Sequence, residues 1–198
     1  MPITIRDVRE HELDSVVAVN NAAGPSILPM DLAKARFFWE HAEYFRVAEQ
    51  DGHVTGFLVA LGQDAPHDSP NFLWFRERYP EFLYIDRIVI ARPRRGGGRG
   101  RAFYADVQSF AEVRSPLLAC EVFLQSGNDP ALLFHGSFGF REVGQNVMPG
   151  SGIRASMLLK EMCSYPFVAE TYGRQLPDQP WLRARPLPGR QPARATGT

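Results

Sequence analysis

The chain has 198 residues, 44% of them hydrophobic and 22% charged, which fits one hydrophobic core with an appendage and excludes a disordered chain. Lys+Arg and Asp+Glu both number 22, so the formal charge is zero, and a generic polyanion binder is excluded unless charge is concentrated locally. Two distant cysteines, Cys120 and Cys163, make neither a disulfide framework nor a zinc site. No stretch approaches the ~20 apolar residues of a membrane span, and charge appears early with no apolar leader, so a soluble, cytoplasmic protein is expected.

Ile3 to Val8 alternates like a strand. His11 to Ala23 carries Leu13, Val16 and Val17 at helical spacing and stops at Gly24-Pro25. Asp31 to His41 reads as a second helix, with Leu32, Ala35 and Trp39 on one side. Tyr44 to Gln50 and His53 to Leu61, joined by Asp51-Gly52, predict a hairpin. Residues 62 to 80 then read as a long connection, with Phe72, Trp74, Phe75 and Tyr79 among acids. Phe82 to Ile90 is an apolar strand interrupted by Asp86 and Arg87, and it runs into Pro93-Arg-Arg-Gly-Gly-Gly-Arg-Gly-Arg101. A helix with Phe103, Val107, Phe110 and Ala111 on one face follows, then a buried strand from Leu117 to Leu124. Asn128-Asp129-Pro130 starts another helix, which ends by Gly139. Phe140 to Met148 and Ile153 to Met162 close the domain as two strands. The pattern is α/β with mixed strand directions. Residues 1–163 form the expected domain. The segment 164–198 holds six prolines and five arginines against two acids, and reads as a partly extended tail with Trp181 as its candidate anchor and disorder past Pro186.

The most informative feature is the buried strand that ends in Arg95-Gly-Gly-Gly-Arg-Gly100 and turns directly into a helix. Glycines let backbone approach a ligand closely, and the unpaired amides and dipole of a helix start favour an anion such as a pyrophosphate. A nucleotide P-loop would need Gly-Lys-Ser/Thr, and a dinucleotide fingerprint would need Gly-x-Gly-x-x-Gly near the chain start; neither is present. An Arg/Gly-type RNA segment and a ligand-free turn remain as alternatives. The first conflicts with the position between a buried strand and an amphipathic helix, and the second leaves the surrounding arginines without a role.

At these residues the sequence resembles the GCN5-related N-acetyltransferase (GNAT) family. Arg95-x-x-Gly98-x-Gly100 after a strand is similar to the family's acyl-CoA signature. Asn128-x-x-Ala131-x-x-Phe134-His135-x-x-x-Gly139-Phe140 is similar to its later motif. The likeness covers about residues 3 to 162, and the combination of Tyr84-Ile-Asp-Arg-Ile-Val89, Cys120-Glu-Val122 and Phe134-His-x-x-x-Gly-Phe140 looks most like a bacterial branch. The resemblance implies the GNAT acyl-CoA N-acyltransferase fold, a central twisted mixed sheet of about seven strands flanked by about four helices. It implies acetyl-CoA as co-substrate, no metal, and a primary amine as acceptor.

In such enzymes the fourth and fifth strands splay apart and hold pantetheine. That places the arm along Ile88, Val89 and Ile90, and the pyrophosphate on the amides of Gly96, Gly97, Gly98, Arg99, Gly100 and Arg101. Asn128 and Phe134 would flank the arm, although Asn128 suits a helix cap equally well. Glu121 stands where some relatives carry a carboxylate base, and Asp86 is the other candidate. An ion pair with an arginine is the competing account of Asp86. His135 takes the place of the tyrosine that usually protonates the departing thiolate, and a histidine simply hydrogen-bonded on a helix face is its alternative. Cys120 reads as a small core residue. The 62–80 connection could wall an acceptor site by cation–π contact or cover a neighbouring subunit in a homodimer. The rival function is a non-catalytic acyl-CoA-binding module; nucleic acid is a less suitable partner.

Overall fold

The computed structural model describes residues 3–24, 27–125, 129–173 and 175–188, with the Trp181 side chain outside that description. Seven strands form one sheet in the order β1-β2-β3-β4-β5-β7-β6. They are β1 (Thr4–Asp7), β2 (Tyr44–Gln50), β3 (His53–Gly62), β4 (Leu83–Ile90), β5 (Leu117–Phe123), β6 (Arg141–Val147) and β7 (Arg154–Glu161). All neighbours run antiparallel except β4 and β5. The expected mixed sheet of seven strands is therefore present.

Local chemistry explains the elements. Asp51 and Gly52 both adopt positive φ, 56° and 76°, which a tight two-residue hairpin turn demands. Asp31 caps α2 (Leu32–His41) by accepting from the Lys34 amide at 2.8 Å. α1 (Leu13–Asn21) buries Leu13 and Val16. Two apolar clusters lie on opposite faces of the sheet. One holds Val16, Ala35, Phe38, Phe57, Phe72, Phe75 and Tyr84. The other holds Leu58, Ile85, Cys120 and, from α4 (Arg99–Ala111), Phe103, Tyr104, Val107 and Phe110.

Two segments differ from the sequence reading. The 62–80 connection contains α3 (Pro70–Arg76), with Pro70 in its first turn. Its Phe72 and Phe75 are fully buried at i, i+3 spacing, so these aromatics build the core and do not line an acceptor site. The indole of Trp74 lies on Gly144 of β6, where a Cβ would stand 2.8 Å from the ring. After α5 (Asp129–Ser137), the expected tail begins with α6 (Tyr165–Tyr172), giving six α-helices among the described residues. Further on, Arg185 is buried, stacks 4.5 Å from the Trp39 ring centroid, and donates to Trp39 O at 2.6 Å and Ala42 O at 3.0 Å. The reading of the Trp181 side chain as an anchor falls outside the described residues, and so does the disorder expected past Pro186 except at Leu187 and Pro188. No described helix is long and apolar enough to cross a membrane.

Candidate active site

Strands β4 and β5 pair only at Leu83–Leu118 and Tyr84–Ala119. Beyond those pairs each strand continues, β4 to Ile90 and β5 to Phe123, with no further ladder between them. β3 remains bonded to the far edge of β4 as far as Gly56–Ile90, so Ile88, Val89 and Ile90 keep one edge facing the gap. A register shift opposite Val59 and Ala60 leaves Asp86 as the extra residue of a β-bulge. The gap opens into a cleft of about 770 Å³ lined by Ile88, Asp86, Cys120, Glu121, Val122 and His135, together with Met30, Asn71 and Met148.

Strand alternation sends Glu121 and Cys120 to opposite faces. Glu121 points toward α3, where Oε2 accepts from the Tyr84 hydroxyl at 2.6 Å and Oε1 from Asn71 Nδ2 at 3.2 Å. Asn71 is fixed in turn by Asn146 of β6, whose Nδ2 donates to Asn71 Oδ1 at 3.0 Å. Burial pushes the Glu121 carboxyl up to about 7; nearby Asp86 adds to the rise, and the bonds from Tyr84 and Asn71 pull against it. A carboxylate that ionises near neutral pH and lines a cleft suits general-base work.

Asp86 has a different environment. Arg87 Nε lies 3.0 Å from one oxygen and His67 Nε2 3.3 Å from the other. Burial opposes its ionisation, yet His67 and Arg87 outweigh that and hold it below its ordinary value. His67 is buried, and Lys34 Nζ sits 3.4 Å from its Nδ1. Arg87 Nη1 also donates to Asn20 Oδ1 at 2.9 Å and Leu28 O at 3.3 Å, tying β4 to α1 and the loop after it. This arrangement matches the ion-pair account of Asp86.

His135 lies on the other face, on α5. Its Nδ1 is 2.6 Å from the Tyr104 hydroxyl and 3.5 Å from Cys120 Sγ. Burial pushes the imidazole down to about 4, so the ring is neutral near neutral pH. Glu121 and His135 therefore reach the same cleft from opposite sides of the sheet. Asn128 lies outside the described residues.

At the end of β4 the glycine segment enters α4 through Gly98, whose φ is +75°. Arg99 turns inward and is buried, donating to Arg94 O at 2.7 Å and to Gln50 Oε1. Arg95 donates to Ile90 O at 3.3 Å and Ala23 O at 3.0 Å. These two side chains shape the loop. The first amide from Gly96 onward with a backbone acceptor is that of Ala102, on Gly98 O at 3.0 Å, so the preceding amides form an open anion cradle. Phe134 closes over it, and a Cβ on Gly100 would stand 3.2 Å from the ring. Among the described residues, no group of three or more His, Cys, Asp or Glu is placed to hold a metal ion.

Tyr84, Asn71, His67 and Tyr104 are not among the site residues expected from the sequence. The parallel register of Tyr84 with Ala119 sets the phenol two residues from Glu121 on one face, a relation invisible without strand pairing. Asn71 is 50 residues from Glu121, and its only local signal is the Pro70 helix start.

The family model described as Acetyltransferase (GNAT) family matches residues 13–140. No curated protein sequence matches the chain significantly. Among solved structures, the Escherichia coli ribosomal-protein-S18-alanine N-acetyltransferase aligns with TM-score 0.62 and 16% identity, over 81% of this chain and 94% of that one. A ribosomal-protein-alanine N-acetyltransferase from Brucella melitensis aligns with TM-score 0.61 and 24% identity, over 80% and 99%. The yncA structure from Salmonella typhimurium, assigned as an acetyltransferase and solved with its cofactor acetyl-CoA, aligns with TM-score 0.60 and 18% identity, over 82% and 95%. At these identities the likeness to solved structures shows the fold, and the family match over most of the domain shows the membership. The chain belongs to the GNAT acetyltransferase family.

Proposed function

We propose that the protein transfers the acetyl group of acetyl-CoA to a primary amine by direct attack in a ternary complex. The observation that carries this reading is the parallel β4–β5 pair that opens after Tyr84–Ala119, with Glu121 in the opening and the glycine loop at its end. The pantetheine arm lies along Ile88, Val89 and Ile90, and the pyrophosphate rests on the amides from Gly96 to Arg101. Residues 1–163 act as the transferase domain, and 164–198 as an appended segment.

An alkyl ammonium with a pKa of ~10 must first lose a proton. Glu121 takes it, directly or through a water, and its value of about 7 keeps a large fraction ionised for the purpose. The amine lone pair then attacks the thioester carbonyl carbon. The C–N bond forms, the C–S bond breaks, and its electron pair leaves on sulfur. The second nitrogen proton passes to that sulfur, giving an amide and CoA thiol, while Glu121 releases its proton to solvent. Asp86, paired with Arg87 and His67, shapes the cleft.

The test is thermal stability with acetyl-CoA, using ATP and NAD as controls, followed by thiol release with an amine panel. A ligand at a hundredfold excess over Kd stabilises by ~2.7 kcal/mol. A shift specific to acetyl-CoA, with turnover lost in Glu121→Gln, supports the reading. Tight CoA binding without transfer to any amine points instead to an acyl-CoA-binding module.

A further inference from the structure

We infer that Tyr104 is a positioning residue that fixes His135 as a neutral Nε2–H donor to the sulfur of bound CoA, stabilising the thiolate as it departs. The inference rests on the acetyl-CoA reading above and assigns it a second set of residues, on the face of the sheet opposite Glu121.

The tautomer follows from hydrogen-bond inventory. Tyr104 is fully buried on α4, and its hydroxyl needs an acceptor. His135 Nδ1 is 2.6 Å away, and Cys120 Sγ is 3.5 Å from the same nitrogen. Burial pushes both the phenol and the thiol up, so each keeps its proton near neutral pH. Two hydrogen-bearing groups converge on one ring nitrogen, and that nitrogen must offer its lone pair. A proton on Nδ1 would leave the phenol facing only a thiol sulfur, a weak acceptor. The ring proton therefore sits on Nε2. The two polar contacts that the ring makes with described residues both fall on Nδ1, which leaves Nε2 to the cleft that His135 lines.

The position fits the sulfur. Phe134 packs against Gly100 and against the Tyr104 ring at 4.8 Å, which sets α5 relative to the loop that holds the pyrophosphate. Along β5, Glu121 faces α3 and Cys120 faces His135. An acyl group lying in the gap is approached by the amine from the Glu121 side, and its sulfur leaves toward the His135 side. Because the ring is neutral, it transfers no proton. It supplies a hydrogen bond that strengthens as charge builds on sulfur, and the proton that sulfur finally gains is the acceptor nitrogen's.

The experiment uses CoA itself as the probe, with full-length protein carrying Cys163→Ser to remove the exposed thiol. Thiolate absorbance reports the pKa of the bound CoA thiol. Imidazole nitrogen NMR, assigned with His135→Gln, reports the tautomer. The expected result is an Nε2–H ring with bare Nδ1 near neutral pH, and about tenfold easier thiol ionisation than in Tyr104→Phe or His135→Phe. His135→Gln keeps a donor and should recover part of the effect, and every variant should still gain thermal stability from CoA. An Nδ1–H or doubly protonated ring near neutral pH would overturn the inference, as would an equal bound-thiol pKa in the parent and Tyr104→Phe. Binding of CoA with an unshifted thiol refutes this inference alone. Failure of CoA to stabilise the parent protein refutes the acetyl-CoA reading, and this one with it.

Discussion

Replacing Glu121 by Gln removes a charge and leaves the shape. In the fold this carboxyl ionises at about 7, against an ordinary 4.5. The sign is set by proton binding: between those values the folded state holds a proton that the unfolded state has released, so the group costs stability as pH rises through that window. At ~1.4 kcal/mol per pH unit, the full gap is worth about 3 kcal/mol above pH ~7. His135 has the opposite sign. Its value falls from 6.5 to about 4 on folding, so it contributes stability that is present above 6.5 and lost as pH falls toward 4. From pH ~4.5 to ~6.5 the two slopes offset each other, and the parent protein should show a nearly flat profile there. Glu121→Gln should expose the His135 slope, matching the parent near pH ~4.5 and gaining up to about 3 kcal/mol by pH ~8. Gln can donate to the Tyr84 oxygen and accept from Asn71, so little is lost locally. Transfer activity should fall by about 10² to 10⁴, the usual worth of a general base. Urea unfolding at several pH values, beside initial rates, checks both. A pH-independent stability offset would refute the buried carboxylate, and undiminished turnover would refute the base.

Tyr84→Phe removes a bond that favours the ionised carboxylate, so the acid limb of kcat/KM should move above its expected midpoint of about 7; pH–rate profiles check the direction. Gly98→Val should abolish CoA stabilisation, because φ of +75° is costly for a β-branched residue. No atom lies within 4 Å of a Cβ there, so the damage comes through loop conformation, and Gly98→Asn should keep partial binding. Full CoA affinity in a folded Gly98→Val protein would sink the loop assignment. Arg185→Met keeps the stem over Trp39 but loses two bonds to carbonyls, and should lower stability by about 1 kcal/mol with faster proteolysis of the C-terminal segment.

Much of the fold was legible because its signals are local. The Asp51-Gly52 turn, the apolar β4 run into glycines, and the Asp-Pro start of α5 each depend on residues a few positions apart. The same holds for the family likeness, carried by Arg95-x-x-Gly98-x-Gly100 and Phe134-His135-x-x-x-Gly139-Phe140. α3 was missed because a seven-residue helix rich in aromatics gives a weak periodic signal and its apolar side looked like an exposed wall. The C-terminal helix was hidden by the proline-rich composition that surrounds it.

The site divides along the same line. Sequence alone determined which residues could act: an acid in an apolar strand, a histidine in a motif where a tyrosine is expected, glycines where a helix begins. Only the tertiary structure decided how they act. Period-two alternation on β5 separated Glu121 from Cys120 and His135, the parallel register brought Tyr84 to the carboxylate, and β6 delivered Asn146 to Asn71. Their partners lie 15 to 75 residues away in the chain, and burial among them sets the ionisation of each. Desolvation and hydrogen bonding depend on what surrounds a group in space, and adjacency in sequence does not encode that.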